Sequence, residues 1–526
     1  MRKIHPAPLS ALTGLLLYAA WPESPLTLLI FIAFIPLLWL ERQGIRRARF
    51  FGWTYLSMFI WNIGTTWWIW NSTGPGAAAA ILANSLLMCI PWLGFHWIRS
   101  RMGNVFGYCS LILFWLSFEY FHLQNWGLSY PWLTLGNIFA SNPQWVLWYQ
   151  FTGTSGGGLW ILVVNVLLFQ WLWQLLKHRS FSRRPLTAAL ALIILPILLS
   201  RITRSDDKIT PPDYNIIIVQ PNIDPYEKVA TSTFGTQLEK LIRLSESAID
   251  TNTALVVWPE TALFNENGGI EEGHLRDYHF LRPLWDFLDR HPHINLLTGV
   301  ECFRFFDDQH SPTAFRDGDK YVESYNAAAI LDTGGLVESY HKSRFVPGPE
   351  ALPWFLRFLA PWFEKFGGTT AGYTGQTDRN PLITTNGTYK IAPAVCYESI
   401  YGEFLSNFSR NGADLIAVIT NDGWWGNTPG HRQHRDYARL RAIETGHWVV
   451  RSANTGISCV IDPHGTITKS LPWDTAGVIK DNVPAASEIT FYTRYGDCIS
   501  KLAAALTILL FVWYLSTIIR RRTGRV

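Results

Sequence analysis

Residues 389–399 read YKIAPAVCYES and place a cysteine directly after a short apolar run. Runs of this kind, bounded by turn residues, predict buried β-strands, here over residues 391–395. Cys396 follows that strand and precedes Tyr397 and Glu398. Taken alone, a cysteine in this place is most simply an inert core residue. A function for Cys396 therefore depends on what lies at the ends of the other strands.

The sequence from residue 214 onward alternates strand-like and helix-like segments. β-Branched runs predict further strands at 215–220, 254–258, 294–300, 327–331, 415–420 and 449–451. Helical stretches lie between some of them, at 233–248, 274–290, 399–411 and 431–446. This mixed order favours an α/β or α+β sandwich, and sites in such sheets gather at the carboxyl ends of strands.

Two further strands end beside residues that can take part in chemistry. Glu260 follows a strand and a proline in ALVVWPE, and Lys342 follows the Gly334-Gly335 turn and a short strand in SYHKSRFVPGPE. Singly, Glu260 fits a carboxylate that caps the next helix, and Lys342 fits a solvated side chain. Together with Cys396 they meet the needs of acyl transfer. These are a thiol nucleophile, a carboxylate that moves its proton, and an ammonium that stabilises an oxyanion with the backbone N–H after the nucleophile.

Four motifs occur in a fixed order along this region: VVWPE at 256–260, YHKSRFVPGPE at 340–350, CYES at 396–399 and NDGWWG at 421–426. Their order, with the pattern over 421–456, resembles the carbon–nitrogen hydrolase (nitrilase) superfamily. The resemblance implies an α+β domain of the nitrilase-like four-layer αββα sandwich type.

The resemblance also implies a Glu-Lys-Cys triad. Glu260 is expected to be the proton acceptor, Lys342 the oxyanion-supporting cation and Cys396 the nucleophile. A second carboxylate near the lysine falls on Glu350, although this chain has VPGPE where the family commonly has VPFGE. The remaining supporting or substrate-binding candidates are Tyr397, Glu398 and Trp424, the last from its place after the 415–420 strand.

The first 200 residues differ in composition from the rest of the chain. They hold 12 basic and only 3 acidic side chains. Apolar segments predict an α-helical transmembrane bundle of about eight spans, about seven of them in residues 1–200. The segments are 9–21, 25–40, 51–70, 77–98, 105–123, 158–176, 186–199 and 502–519. Residues 1–22 could instead be a signal peptide, but no small-residue cleavage site follows them.

The connections between these segments predict the orientation. Those at 22–24, 71–76 and 124–157 contain no Lys or Arg, whereas the alternate ones are basic. By the positive-inside rule, both termini are then cytoplasmic. Residues 1–200 are expected to form the bundle, 201–500 an extracytoplasmic catalytic domain, and 501–526 a last span with a basic tail.

The net charge of +4 is a cancellation between a basic membrane part and an acidic domain, so it predicts no nucleic-acid partner. The six cysteines show no CxxC pattern, and neither a metal site, a disulfide framework nor a cofactor is expected. His434, Arg435, Arg439 and Arg441 are expected on the solvated face of a helix. The aromatic segment 351–366 is expected to be a surface arm that dips into the bilayer, the alternative being a buried turn.

The spans and the motifs together resemble the apolipoprotein N-acyltransferase family. That resemblance implies a multi-pass protein of the bacterial inner membrane that transfers a fatty-acyl chain, through a cysteine thioester, from a phospholipid to the α-amine of a diacylglyceryl-modified N-terminal cysteine. Its expected partners are the phospholipid donor, the diacylated apolipoprotein and the bilayer. Two other classes remain open: a membrane-tethered amidase or nitrilase acting on a small substrate, and a non-catalytic scaffold or transporter.

Overall fold

The computed structural model describes residues 4–178, 183–202, 211–226, 233–265, 269–352, 356, 358, 372–486 and 488–522. Most of the expected arm at 351–366 lies outside these residues. The chain divides into two compact units, which we call the helical unit and the sandwich unit. The helical unit comprises Met1–Trp67, Ala77–Thr203 and Tyr495–Val526, and the sandwich unit comprises Trp68–Gly76 and Arg204–Arg494.

The helices of the N-terminal part are α1 (Pro6–Ala20), α2 (Ile35–Arg42), α3 (Arg47–Thr66), α4 (Gly74–Leu87), α5 (Cys89–Met102), α6 (Asn104–His122), α7 (Tyr149–His178) and α8 (Arg183–Ile202). Short 3-10 helices connect them at Thr27–Phe31, Trp67–Asn71, Pro131–Leu133, Leu135–Ser141 and Pro143–Trp145. The C-terminal helix is Cys498–Arg522. Glu119 in α6 faces protein, since its carboxylate accepts hydrogen bonds from the Trp115 indole and the Leu135 N–H.

Five helical segments of the described residues are long and apolar enough to cross a membrane: Gly74–Met102, Asn104–His122, Tyr149–Lys177, Arg183–Ile202 and Cys498–Thr517. The expected count of about eight is not confirmed. The predicted span 25–40 is not one helix, because a 3-10 turn at Thr27–Phe31 precedes the eight-residue α2. Helix α1 is a shorter apolar helix.

Two β-sheets form the sandwich unit. The first, of eight strands, contains β1 (Asn215–Gln220), β2 (Thr253–Val257), β3 (Ile270–Glu271), β4 (Asn295–Phe306), β5 (Phe315–Asp317), β6 (Lys320–Asp332), β7 (Gly335–His341) and β14 (Gly477–Asp481). The second, of six strands, contains β8 (Leu382–Ile383), β9 (Lys390–Val395), β10 (Leu415–Thr420), β11 (Val449–Ala453), β12 (Cys459–Ile461) and β13 (Ile467–Ser470).

The centre of each sheet is parallel. The first sheet runs β14-β1-β2-β4-β6-β5, with β1, β2 and β4 parallel, and the second runs β13-β12-β11-β10-β9-β8, with β9, β10 and β11 parallel. Parallel neighbours end at the same edge of a sheet, so the residues after β9, β10 and β11 lie together. This edge carries Cys396.

Helices cover the outer faces of the two sheets, which completes the expected four-layer αββα sandwich. Helices α9 (Phe234–Glu246) and α10 (Arg282–Arg290) pack their apolar residues into one core with β1, β2 and β4. Helices α11 (Gly402–Arg410) and α12 (Pro429–Thr445) pack on the second sheet, and α13 (Phe491–Tyr495) follows the domain. The predicted helix 274–290 is realised only from Arg282, because Pro283 lacks an N–H and is suited to a first helical turn.

Candidate active site

Glu260 lies just beyond the end of β2 and is 8% exposed. Its Oε1 accepts hydrogen bonds from Lys342 Nζ at 3.1 Å and from Asn326 Nδ2 at 2.8 Å. Its Oε2 accepts the backbone N–H of Asn421 at 3.1 Å. All three partners are hydrogen-bond donors, so together they fix the position of the carboxylate beside Lys342.

Gly299 in β4 allows the Glu260 backbone to approach the sheet. A Cβ at position 299 would lie 2.3 Å from the Thr261 nitrogen and 2.6 Å from the Glu260 Cα. Both are backbone atoms, which cannot move aside as a flexible side chain would. The absence of a side chain at Gly299 therefore helps to set the position of the Glu260 carboxylate.

Lys342 follows β7 and is buried between two carboxylates. Its Nζ lies 3.1 Å from Glu260 Oε1 and 2.6 Å from Glu350 Oε1. Glu350 is fixed in turn by the Val346 N–H, which donates to its Oε2 at 2.7 Å. Burial alone would lower the pKa of Lys342, but Glu260 and Glu350 raise it well above its usual value. The VPGPE sequence thus places the Glu350 carboxylate in hydrogen-bonding contact with Lys342, and the ammonium stays charged.

Cys396 begins the 3-10 turn Cys396–Ile400 at the end of β9. Its φ of +54° places it in the left-handed region, which is unfavourable for a residue with a Cβ. Burial raises the pKa of its thiol well above the usual value; Glu260 raises it further and Lys342 lowers it. The resting thiol is therefore protonated, and its reaction with an acyl carbon requires a base.

Glu398 connects the Cys396–Ile400 turn to the loop after Lys342. Its Oε1 accepts the Tyr340 hydroxyl at 2.6 Å and the Ser343 and Arg344 N–H groups at 2.7 Å and 3.2 Å. Its Oε2 accepts the Val395 N–H at 2.9 Å. With four donors, the fully buried carboxylate holds the backbone on both sides of the site.

The other two candidates occupy different environments. Tyr397 is buried, with its ring edge-on to that of Tyr401 at 5.5 Å. Trp424 is 40% exposed and packs edge-on against Tyr226 at 5.2 Å. The Tyr226 hydroxyl donates to the carbonyls of Trp424 and Asn71, at 2.9 Å and 2.7 Å. Trp424 therefore belongs to an aromatic contact on the rim of the sandwich unit, and no described contact places it against Cys396.

A separate buried cluster has ligand types that could hold a metal ion. One ligand atom each from Glu272, Cys302 and His341 lie within 4.8 Å of one another. The Glu272 carboxylate, however, already pairs with Arg304 and lies 3.0 Å from His341 Nε2. The arrangement is that of an ion-pair network, in which a metal would have to displace the guanidinium.

Two sets of polar residues near the site were not recognised in the sequence. Asn326 donates to Glu260, although it lies within an apolar part of β6. The expectation of a solvated face on α12 is wrong, because His434 and Arg441 are each 1% exposed. His434 contacts the Cys396 turn instead. An Asn or His within a strand or helix carries no sign of its partner when that partner is distant in sequence.

Comparison with known proteins matches both parts of the chain. The carbon–nitrogen hydrolase family model matches residues 216–490, and that of the apolipoprotein N-acyltransferase N-terminal domain matches residues 13–167. The apolipoprotein N-acyltransferase of Chlorobaculum tepidum is 30% identical over 95% of this chain and 94% of its own length. That of Azotobacter vinelandii is 29% identical over 96% and 92%. Among solved structures, Saccharomyces cerevisiae Nit3, a member of branch 10 of the nitrilase superfamily, aligns with a TM-score of 0.34 and 18% identity, over 52% of this chain and 90% of that one.

The sandwich unit, with its glutamate and lysine after strands of the first sheet and its cysteine after a strand of the second, is thus a carbon–nitrogen hydrolase domain attached to apolar helices. The similarity extends over nearly the whole chain and includes the N-terminal part. The chain belongs to the apolipoprotein N-acyltransferase family and is an N-acyltransferase, as its motif order led us to expect.

Proposed function

We propose that this enzyme moves a fatty-acyl chain from a membrane phospholipid to the α-amine of a diacylglyceryl-modified N-terminal cysteine, through a thioester on Cys396. The observation that carries the proposal is the ion-pair group around Lys342. This cation lies between Glu260 and Glu350, and the neighbouring Cys396 thiol is protonated at rest. A half-buried nucleophile is thereby available beside a buried proton acceptor and a buried cation.

In the first half-reaction, Glu260 takes the Cys396 proton as Sγ attacks the ester carbonyl of the phospholipid. The negative charge on the carbonyl oxygen is stabilised by the Lys342 ammonium and the Tyr397 backbone N–H. When the tetrahedral intermediate collapses, the C–O bond breaks and Glu260 returns the proton to the departing oxygen. A lysophospholipid leaves, and the acyl group stays on Cys396.

In the second half-reaction, the neutral α-amine of the acceptor attacks the thioester. Glu260 takes a proton from the attacking nitrogen, and the same donors stabilise the oxyanion. The C–S bond breaks, the proton returns to the Cys396 sulfur, and an amide is formed. Because the lysophospholipid leaves before the amine attacks the acyl-enzyme, the kinetics are ping-pong.

The lipid nature of the substrates is supported by the membrane part and by the relatives. Helices long and apolar enough to cross a bilayer lie on both sides of the catalytic region in the sequence, and the two relatives described above are named apolipoprotein N-acyltransferases. The alternation of basic and uncharged connections supports a bacterial inner-membrane protein with cytoplasmic termini and its 201–500 domain on the outer side. The active site would then open among lipids at that surface.

One assay tests the proposal: purified protein, phospholipid and a synthetic diacylated lipopeptide, with Cys396→Ala in parallel. N-acylated lipopeptide formed only by the unmutated protein supports it. Release of free fatty acid without acylated lipopeptide would instead identify a hydrolase. Turnover of neither substrate would contradict enzymatic acyl transfer. A thermal-unfolding measurement in detergent checks that both proteins are folded.

A further inference from the structure

The backbone of the nucleophile is held in a conformation that needs support. Cys396 is one of five non-glycine residues with a positive φ among the described parts of the chain. Such residues are strained and persist only where surrounding contacts fix them. The contacts on the Cys396 peptide therefore show what keeps the nucleophile in place.

Two side chains meet at the carbonyl oxygen of Cys396. The Ser399 hydroxyl donates to it at 2.9 Å, and His434 Nε2 lies 3.1 Å from it. Ser399 Oγ and His434 Nε2 are themselves 2.8 Å apart. Ser399 belongs to the same turn as Cys396, whereas His434 comes from helix α12, so the turn is anchored to a separate element.

The other side of the imidazole joins a buried charged group. His434 Nδ1 lies 3.1 Å from the Arg451 guanidinium, a donor, and 3.0 Å from Asp422 Oδ1, and Asp422 forms an ion pair with Arg451. When Nδ1 accepts from Arg451, Nε2 carries the proton and donates to the Cys396 carbonyl. Thr420 also donates to Asp422, at 2.7 Å. Burial would raise the pKa of Asp422, but Arg451 and His434 lower it to about 2, so the carboxylate is charged. The group links the ends of β9 and β10 to the middle of β11.

The planarity of the peptide bond connects this group with catalysis. The Cys396 carbonyl and the Tyr397 N–H belong to one peptide unit, in which a trans bond directs them to opposite sides. Contacts that hold the carbonyl toward His434 therefore direct the N–H away from it. Hydrogen bonding at the carbonyl also polarises the unit and strengthens its N–H as a donor.

We propose that His434 is a positioning residue which, supported by Asp422 and Arg451, orients the Cys396–Tyr397 peptide so that its N–H stabilises the oxyanion. This inference rests on the proposed function only in that Cys396 attacks an acyl carbon. It does not depend on which acceptor receives the acyl group. The acylation half-reaction alone can therefore test it.

The experiment compares His434→Gln with His434→Asn in the full-length protein. A Gln side chain carries an amide N–H about as far from the backbone as Nε2, whereas the shorter Asn reaches only the Nδ1 position. The measurement is the burst rate of Cys396 acylation by a short p-nitrophenyl ester. Alkylation of Cys396 by iodoacetamide is followed in parallel, since that reaction creates no oxyanion.

We expect His434→Asn to lower the acylation rate about 100-fold, in the range seen for loss of an oxyanion donor. The alkylation rate should change less than about threefold. The acylation rate of His434→Gln should be at least about tenfold higher than that of His434→Asn. Equal losses of acylation and alkylation in His434→Asn, or an unchanged acylation rate, would overturn the proposal. So would His434→Gln and His434→Asn being equally impaired.

A second variant keeps the test decisive if His434→Asn does not fold. Ser399→Ala removes one hydrogen bond to the same carbonyl and leaves Asp422 and Arg451 in place. We expect the acylation rate to fall about tenfold while the alkylation rate is unchanged. The absence of a selective fall in acylation would overturn the proposal. Acylation of the unmutated protein without later transfer to a lipopeptide would refute the proposed acceptor alone, so the two failures are distinguishable.

Discussion

Lys342 makes its shorter hydrogen bond to Glu350, at 2.6 Å, and its longer one to Glu260, at 3.1 Å. The cation is therefore shared unequally between the two carboxylates. We propose that Glu350 mainly keeps the ammonium in place and that Glu260 is the proton acceptor. This division of roles accounts for two glutamates beside one lysine in a buried site, where each charge needs a partner.

Glu260→Gln should abolish acyl transfer, with a loss of at least about 10³-fold. The change removes the proton acceptor, and it also places an amide NH₂ against one of three donors, Lys342, Asn326 or the Asn421 N–H. Burst-phase acylation measures the effect. Asn326→Ala is the matched control, since it removes one donor and leaves the base, and it should lose no more than about tenfold. An active Glu260→Gln variant would contradict the assignment of Glu260 as the proton acceptor.

The reactivity of the Cys396 thiol should depend on pH in a defined direction. Its pKa is raised, and the thiolate is the reactive form, so alkylation should accelerate as the pH rises above neutral. Glu260 raises this pKa and Lys342 lowers it. Glu260→Gln should therefore shift the alkylation profile to lower pH, and Lys342→Met should shift it to higher pH.

Peptide mass spectrometry after timed iodoacetamide labelling reads this profile at Cys396 separately from the other cysteines. Cys396 of Glu260→Gln should thus be alkylated faster at neutral pH, although this variant cannot transfer acyl groups. Profile shifts in the opposite directions would show that the charges around the thiol are assigned incorrectly.

Gly299→Ala should lower both stability and activity. Its Cβ would lie 2.3 Å from the Thr261 nitrogen, so the Glu260 backbone must move. Overpacking of this kind costs about 1–3 kcal/mol. Thermal unfolding and the acylation burst measure the two effects. Gly235→Ala in α9 is the control, because its Cβ would meet nothing closer than 4.0 Å, and it should leave both values unchanged or slightly improved.

Glu398→Gln should impair the enzyme more than Tyr340→Phe does. The carboxylate accepts four hydrogen bonds, and a Gln amide must oppose at least one buried donor, at a cost of about 1–3 kcal/mol. Tyr340→Phe removes only one of those donors. Both the melting temperature and the acylation rate should fall further in Glu398→Gln than in Tyr340→Phe. The reverse order would mean that the tyrosine, rather than the carboxylate, holds the two loops.

The positions of the triad residues could be expected from the sequence because each follows a strand. The predicted strands at 215–220 and 415–420 coincide with β1 and β10. Sites in such sheets gather at the carboxyl ends of strands, which made Glu260, Lys342 and Cys396 candidates for one site, although β2 and β7 belong to the first sheet and β9 to the second. The mixed order of strands and helices favoured an α/β or α+β sandwich, and the resemblance to the nitrilase superfamily implied its four layers.

The supporting contacts were not predictable in the same way. Asn326 and Glu260 are 66 residues apart, and His434 and Cys396 are 38 apart. Helix α12 has a polar sequence that resembles a solvated surface, yet its charged side chains are paired inside the domain. Pairing of this kind depends on tertiary contacts, which local composition does not encode.

Mass spectrometry of the isolated enzyme can detect the proposed acyl group on the Cys396 sulfur. After incubation with phospholipid alone, the Cys396 peptide should gain the mass of one fatty-acyl chain. That mass should disappear when the diacylated lipopeptide is added, as the N-acylated product forms. Formation of the product by an enzyme whose Cys396 never carries the acyl mass, or by Cys396→Ala at the unmutated rate, would rule out a Cys396 thioester as the intermediate.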